Sequence, residues 1–330
     1  MVRAIAIAAS VVLLPLAAAA QGGPSFDCAR ASNAVEREVC KDADLAKADR
    51  ELSQLYAALL GRLAGPAKES LQKGQLAWIS NRNRGCTRGD ADTMSICLKR
   101  RYGERIADLK ASGTGSYPFV EAQWIEKKGK VGKISYSIDV SYPRFAGTTA
   151  NFSAVNKAYA DAAANGAKEA TPTADAGVDR EQEWSAEGGY ALFRPGTNAI
   201  TVQSSFWSYT GGAHGYGSTT CALVDLRSGR FVSPAEVFAA GDEWHKRILT
   251  AATSNLKWQF EANPGFEDAL QPAKLGKMLR EGDRYCWREA HLEIYFNQYE
   301  VGPYAAGPYA VNMSYDSIRP LLRAGGPIGN

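Results

Sequence analysis

Residues 207–220 read WSYTGGAHGYGSTT and combine one histidine with four glycines and with the hydroxyl groups of Tyr209 and Ser218. Histidine is the commonest general base in enzymes because its pKa lies near neutrality. A hydrolase would also need an activated nucleophile and a carboxylate that orients the ring, and the sequence assembles neither around His214. Hydrolysis through His214 is therefore the least favoured function. The glycines indicate a turn between two strands, which would present Tyr209 and His214 to a partner.

Other catalytic signatures do not occur in the 330 residues. The sequence has no H-E-x-x-H, no phosphate-binding loop, no G-x-G-x-x-G, no G-x-S-x-G and no C-x-x-C pattern. The three histidines all lie beyond residue 200, and we expect His245 on the exposed side of a helix and His291 at the start of a strand. We therefore predict a protein that is not an enzyme and that holds no metal and no cofactor.

A second segment with candidate binding residues covers 299–309 and reads YEVGPYAAGPY. Its prolines and glycines exclude a helix, and Tyr299, Tyr304 and Tyr309 recur every five residues with Glu300 and Pro303 between them. Rigid tyrosines bind surfaces at a low entropic cost. The segment predicts a partner-binding loop, and the alternative that the rings cover the local core stays open.

The first 20 residues are typical of a secretory signal peptide. Arg3 precedes an apolar run over 4–16, and Ala18-Ala19-Ala20 forms a small-residue cleavage site before Gln21. The apolar run is shorter than the roughly 20 residues that a membrane span needs. We expect a periplasmic or secreted protein with no stable membrane insertion after cleavage. The formal net charge of +3 is too mild to predict a nucleic-acid partner.

Export would expose the cysteines to an oxidising compartment, in which they tend to pair. They form two groups, which are Cys28, Cys40, Cys86 and Cys97 before residue 100, and Cys221 and Cys286 after residue 220. The last two have no other partner nearby in the sequence, so we expect a Cys221–Cys286 disulfide. The first four allow three connectivities.

Residues 25–111 have the pattern of a small helical bundle. Apolar residues recur at spacings of three, four and seven after Asp42 or Asp44, either of which can cap a helix. Gly65-Pro66 is expected to end that helix.

One carboxylate lies on this apolar stripe. Asp49 should face inward, and a buried carboxylate needs a cation, for which Arg82 beside Trp78 on the next helix is the candidate. We interpret Asp49, Trp78 and Arg82 as structural, with a polar spot on a binding face as the alternative.

Residues 112–116, SGTGS, have no core-forming side chain and are typical of a linker. From 117 to 322 the period changes to two, as in Ile134–Tyr142, which predicts strands. Further strands are expected at 200–206, 220–226, 291–295 and 309–315. Helices are expected from Ser153, from a capping box at 233–236 and along 244–260, and a surface loop is expected at 170–182. The fold class predicted is α+β: a disulfide-linked helical bundle followed by a domain with a mainly antiparallel sheet.

The first segment carries a series of cysteines, aromatic residues and charged residues, namely Phe26-Asp27-Cys28, Glu36, Val39-Cys40, Leu45, Asp49, Leu52, Tyr56, Gln75, Trp78, Arg82, Cys86, Cys97, Tyr102 and Arg105. In order and spacing this series resembles the LprI-type lysozyme-inhibitor domain of bacterial envelopes, over about 25–111. The family often has an acid directly after the arginine of its W-x-x-x-R segment, and this chain has Asn83 there.

The second segment carries Ile138 to Pro143, Val155-Asn156, Tyr209 to Gly215, Asp225-Leu226, Ser228-Gly229-Arg230 and Phe296 to Gly307. These residues resemble the extracellular domain pair, of the DUF4163 and DUF3298 type, of the anti-sigma factor RsiV and of the deacetylase PdaC. The resemblance to RsiV implies lysozyme recognition. No deacetylase domain follows in this sequence, so deacetylation is not implied.

The two resemblances imply an exported protein that recognises, and inhibits, lysozyme or a related muramidase. Residues 25–111 contain 16 Lys and Arg against 12 Asp and Glu, whereas the rest of the mature chain contains 21 against 23. Animal lysozymes are strongly basic, so the second segment is the better electrostatic partner. The alternative is a non-catalytic peptidoglycan-binding module, in which Tyr and Trp would face sugars and Lys99-Arg100-Arg101 would meet peptide carboxylates.

Overall fold

The computed structural model describes residues 23–87, 91–112, 119–146, 150–174, 176 and 181–328. The expected signal peptide at 1–20 and residues 113–116 of the expected linker lie outside this part of the chain. Ser112, the first residue of that linker, is the last residue of a helix instead.

The N-terminal segment is helical, as predicted. Its helices are α1 (Ala34–Lys41), α2 (Ala43–Arg62), α3 (Gly65–Cys86) and α4 (Ala91–Ser112). Asp42 caps α2, because its carboxylate accepts the backbone N–H groups of Asp44 and Leu45. The expected role of Gly65-Pro66 was wrong: α2 has already ended at Arg62, and this pair begins α3, where proline fits the first turn.

The bundle has its own core and two disulfides. The largest side chains that the helices bury completely are Tyr102, Leu45 and Leu98. Of the three possible connectivities the chain adopts the sequential one, with Cys28–Cys40 and Cys86–Cys97 bridges. Each bridge ties the end of one helix to a neighbouring segment, which helps so small a bundle to persist.

Asp49 faces inward as predicted, but a tyrosine mediates its link to Arg82. The Tyr102 hydroxyl donates to Asp49 Oδ1 at 2.8 Å and accepts from an Arg82 guanidinium nitrogen at 2.6 Å. Ser25 donates its N–H and its hydroxyl to the other Asp49 oxygen, and Arg82 also donates to Asn83 Oδ1. The guanidinium lies 4.9 Å from the ring centroid of Trp78. The buried charges are thus joined by a relay of hydrogen bonds, which supports the structural interpretation.

The larger sheet has six strands in sequence order. They are β1 (Phe119–Val131), β2 (Ile134–Ala146), β3 (Gln182–Gly196), β4 (Ala199–Tyr209), β5 (Tyr216–Asp225) and β6 (Arg230–Val232). All neighbouring pairs are antiparallel except β2 and β3, which are parallel. A parallel pair needs a crossover, and α5 (Ser153–Glu169) supplies it while packing on one face of the sheet.

A second, smaller antiparallel sheet follows, and the predicted α+β class with mainly antiparallel strands is confirmed. Its strands are β7 (Tyr285–Trp287), β8 (His291–Phe296) and β9 (Tyr309–Ser314). The helices in this part of the chain are α6 (Pro234–Val237), α7 (Glu243–Ala262), α8 (Pro272–Met278) and α9 (Tyr315–Ile318). The apolar face of α7 packs on this sheet around Trp287 and Phe238. The predicted Cys221–Cys286 disulfide is confirmed and joins β5 to β7, which fixes the two sheets to each other.

The helical bundle lies against the larger sheet. Asp108 of α4 pairs with Arg194 of β3 at 3.5 Å, and Arg84 of α3 pairs with Glu126 of β1. Burial, only partly offset by the positive charges of Arg194 and Arg105, raises the pKa of Asp108 to about 6. Within the described ranges, no helix is long and apolar enough to cross a membrane.

Candidate partner-binding site

The turn at 210–215 joins β4 to β5, as the sequence predicts. Gly211 and Gly212 have φ values of 92° and 101°, which only glycine adopts without strain. Gly215 is needed for another reason, since a Cβ atom there would overlap the ring of Trp207. The Tyr209 hydroxyl donates to the Gly212 carbonyl at 3.0 Å, which closes the turn. The turn therefore has a defined shape, and it leaves His214 exposed.

The tyrosine-rich segment forms the connection between β8 and β9, which we call the tyrosine loop (297–308). Tyr299 has a φ of 69°, and its N–H donates to the Gly302 carbonyl at 3.0 Å in a tight turn. Val301 is fully buried, and its carbonyl accepts the Phe266 N–H at 2.7 Å. The loop is thus fixed to the core while its tyrosines stay near the surface.

Glu300 positions this loop and is not a free surface charge. Arg284, which is 5% exposed, donates to Glu300 at 3.0 Å. Glu300 accepts the Asn297 N–H at 2.8 Å, and the Asn297 side chain bonds both backbone groups of Thr219 on β5 at 2.7 and 3.0 Å. Hydrogen bonds to charged groups are among the stronger ones in proteins. This series of hydrogen bonds from Arg284 to Thr219 therefore holds the tyrosine loop beside the N-terminal end of β5.

The two candidate segments meet, which the sequence did not reveal. The rings of His214 and Tyr304 stack with centroids 3.9 Å apart and planes 21° apart. The Tyr299 hydroxyl lies 3.4 Å from His214 Nε2, and the Tyr299 and Tyr304 rings are 5.8 Å apart. We call His214, Tyr299 and Tyr304 the aromatic patch. Tyr299 is 52% exposed, so the patch combines stacked, oriented rings with access from solvent.

The two ring nitrogens of His214 face a backbone carbonyl and a tyrosine hydroxyl. Its Nδ1 lies 2.8 Å from the Gly215 carbonyl, an acceptor only, so a neutral ring carries its proton on Nδ1. Nε2 is then the acceptor that faces the Tyr299 hydroxyl. In a catalytic triad a carboxylate accepts the Nδ1 proton of the histidine, whereas here a backbone carbonyl accepts it. Across the described residues, no group of three His, Cys, Asp or Glu side chains could hold a metal ion.

Two sequence expectations in this region were wrong. Tyr309 is 2% exposed and donates to the Asn263 carbonyl at 2.7 Å, so its ring belongs to the core and cannot contact a partner. Pro303 is exposed beside Tyr304, as a partner-binding residue would be. His245 is 7% exposed rather than on an exposed face, and its Nε2 lies 2.7 Å from the Gly276 carbonyl. His291 begins β8, as predicted.

The basic cluster at 99–101 is not a free cationic surface. Lys99 lies 2.8 Å from Asp42 and 3.4 Å from Asp44. The guanidinium groups of Arg100 and Arg101 lie 4.0 and 3.4 Å from carboxylate oxygens of Glu104. The cluster is therefore largely balanced by carboxylates, which weakens its expected role in binding peptide carboxylates.

Comparisons with protein families match three successive segments of the chain. Residues 28–109 match the family described as lysozyme inhibitor LprI, 130–216 the family described as deacetylase PdaC, and 235–316 a family of unknown function, DUF3298. An uncharacterized protein of Rhizobium meliloti (strain 1021) is 29% identical over 130 residues, which cover 33% of this chain and 94% of the relative.

Two solved structures of DUF3298 proteins are also similar to this chain. The one from Bacteroides fragilis has a TM-score of 0.43 at 17% identity and covers 64% of this chain and 97% of its own. The one from Pseudomonas aeruginosa PAO1 has a TM-score of 0.44 at 14% identity, over 64% of this chain and 96% of its own. From the N-terminus to the C-terminus, the matching family models are thus those of the lysozyme inhibitor LprI, the deacetylase PdaC and DUF3298.

Proposed function

We propose that this chain is an exported, non-catalytic binding protein that recognises lysozyme, or a related muramidase, and inhibits it. The observation that carries the proposal is the match of residues 28–109 to the lysozyme inhibitor LprI family. The three disulfides, with no free cysteine among the described residues, agree with an oxidising compartment such as the periplasm.

The aromatic patch is the contact surface that we assign to the second module, residues 117–322. Aromatic side chains dominate the energy of protein interfaces when they are rigid before binding. Here the stacking on His214 and the series from Arg284 to Thr219 hold Tyr299 and Tyr304 in place. A partner would not have to order this loop, so more of the contact energy would remain as affinity.

Inhibition requires only that the lysozyme cleft be filled. Lysozyme cleaves its substrate with two carboxylates in a groove, and a protruding loop that enters the groove excludes the sugar chain. On the tyrosine loop Pro303 is exposed and Tyr304 is partly exposed, and the module that carries the loop has the more acidic composition. A basic lysozyme is therefore attracted to this module rather than repelled.

The test is inhibition of several lysozyme types by the purified mature protein, residues 21–330, with binding measured alongside. We expect saturable inhibition of at least one type. A protein that neither binds nor inhibits any of them would refute the proposed function. Retention on intact peptidoglycan without any effect on lysozyme would favour the peptidoglycan-binding module instead.

A further inference from the structure

A polar groove lies between the helical bundle and the two sheets, next to the aromatic patch but distinct from it. Its volume is about 570 Å³, within the range of about 300–1,000 Å³ that is usual for small-molecule sites. Arg100, Arg101 and Glu104 line it from α4, and Tyr295, Asn297 and Gln298 line it from the end of β8 and the tyrosine loop. The larger sheet forms the floor.

The floor is open because its side chains are small and polar. Gly189, Ser205 and Thr219 lie directly opposite one another on β3, β4 and β5. A Cβ atom at Gly189 would have no atom closer than 3.9 Å, so the missing side chain leaves real space above this strand. The neighbouring row contains Trp207, a residue that is 40% exposed. Hydroxyl groups and one indole therefore face the same groove.

This surface does not suit a peptide. Peptides commonly bind by adding a strand to a free sheet edge or by filling apolar pockets. The strands of the floor are already paired with one another, and Asn297 occupies the backbone groups of Thr219 on β5. At Thr219 the side of β5 that faces away from β4 is therefore already occupied by a side chain.

The charges of the groove cancel. Arg100 and Arg101 face Glu104 on α4, and Glu187 of β3 also lines the groove, so two cations are balanced by two carboxylates. The groove thus offers guanidinium donors, carboxylate acceptors and the hydroxyl groups of its floor, without a net charge. A neutral ligand rich in hydroxyl groups fits these donors and acceptors, and the apolar face of a sugar ring fits an exposed indole.

We infer that this groove binds a neutral linear oligosaccharide, with Trp207 stacking on a sugar ring. The inference does not depend on lysozyme recognition, because none of its residues belongs to the aromatic patch. A chain with both sites would hold a glycan in the groove while the patch meets a protein.

The experiment titrates the mature protein with cellotetraose, chitotetraose and maltotetraose and measures binding by calorimetry and by tryptophan fluorescence. We expect saturable binding of at least one of them. Trp207→Ala should weaken that binding about tenfold or more through loss of stacking. Gly189→Val should abolish it by filling the floor, and the fold should accept the change because a Cβ atom there has no neighbour closer than 3.9 Å. Trp258→Ala, at an indole that is 69% exposed on α7, is the matched control and should bind like the wild type.

The acidic polymer polygalacturonate is titrated in parallel as a charged control. Two results would overturn the inference: none of the three neutral oligosaccharides binds, whether or not polygalacturonate does, or both groove variants bind as tightly as the wild type. Lysozyme inhibition is measured on the same variants. Oligosaccharide binding without lysozyme inhibition would refute only the proposed function, and the reverse result would refute only the groove assignment.

Discussion

Replacing Tyr102 with phenylalanine removes one hydroxyl that joins two buried charges. The side chain is fully buried, and its hydroxyl donates to Asp49 and accepts from Arg82. Burial raises the pKa of Tyr102, so the hydroxyl keeps its proton at neutral pH. A hydrogen bond to a charged group contributes about 1.5–3 kcal/mol, and breaking a buried charge pair costs about 3–5 kcal/mol.

The loss of stability expected for Tyr102→Phe lies at the lower end of the range of about 3–5 kcal/mol. Asp49 keeps the two donors of Ser25, and Arg82 keeps Asn83, so neither charge is left without a partner. We therefore expect the free energy of unfolding of the helical bundle to fall by about 3 kcal/mol. The assay is urea unfolding followed by circular dichroism at pH 7, with the disulfides intact.

Tyr159→Phe is the matched control, because it makes the same chemical change at a different kind of site. The buried Tyr159 hydroxyl has no hydrogen-bond partner among the residues that the structure describes. Its removal should leave stability unchanged or raise it by about 1 kcal/mol. Equal effects of the two substitutions would refute the role assigned to the Tyr102 hydroxyl.

Two further predictions concern pH and the disulfides. The pKa of Asp108 is about 6 in the folded state and 3.8 in the unfolded state, so the folded protein is stabilised at pH 4 relative to higher pH. This stabilisation should be lost as the pH rises through 6, by at most about 3 kcal/mol. Asp108→Asn should flatten this part of a profile of unfolding free energy against pH. Replacing both Cys221 and Cys286 with serine removes a cross-link between residues 65 apart and should lower the free energy of unfolding by about 4 kcal/mol. The same change at Cys28 and Cys40, which are 12 apart, should lower it by about 3 kcal/mol. Thermal unfolding should therefore show the larger loss of stability for the Cys221 and Cys286 double variant.

The helices and the strongly alternating strands could be predicted from sequence, because their apolar periods are regular. The strand β3 was missed, since Gly188-Gly189 interrupts its pattern, and those glycines are where the groove floor needs space. The strand β1 was not predicted either, because its Lys and Glu residues interrupt the apolar alternation. Such charges are common on an edge strand, which is the position of β1 in the sheet.

For Tyr309 and His245, the spacing of apolar residues indicates the buried position. Tyr309, Val311 and Met313 alternate along β9 and share its buried face, so period two already placed Tyr309 in the core. His245 is three residues before Ile248 on α7, which puts both on the apolar stripe. These positions followed from spacing alone.

The aromatic patch could be predicted only in parts. The sequence indicated both of its segments, but His214 and Tyr299 are 85 residues apart, and their contact depends on how the smaller sheet docks on β5. That docking rests on Asn297, Glu300 and Arg284, whose pairing has no local pattern. Long-range contacts of this kind emerge only from the tertiary structure.

The most direct test of the account is inhibition of lysozyme by the mature protein and by a Tyr304→Ala variant, with Trp258→Ala as the exposed aromatic control. We expect the wild type and the control to inhibit at least one lysozyme type equally. Tyr304→Ala should weaken inhibition by at least about tenfold, as expected for an aromatic hot spot. Full inhibition by Tyr304→Ala would contradict the aromatic patch as the contact surface. No inhibition by the wild type would contradict lysozyme recognition itself.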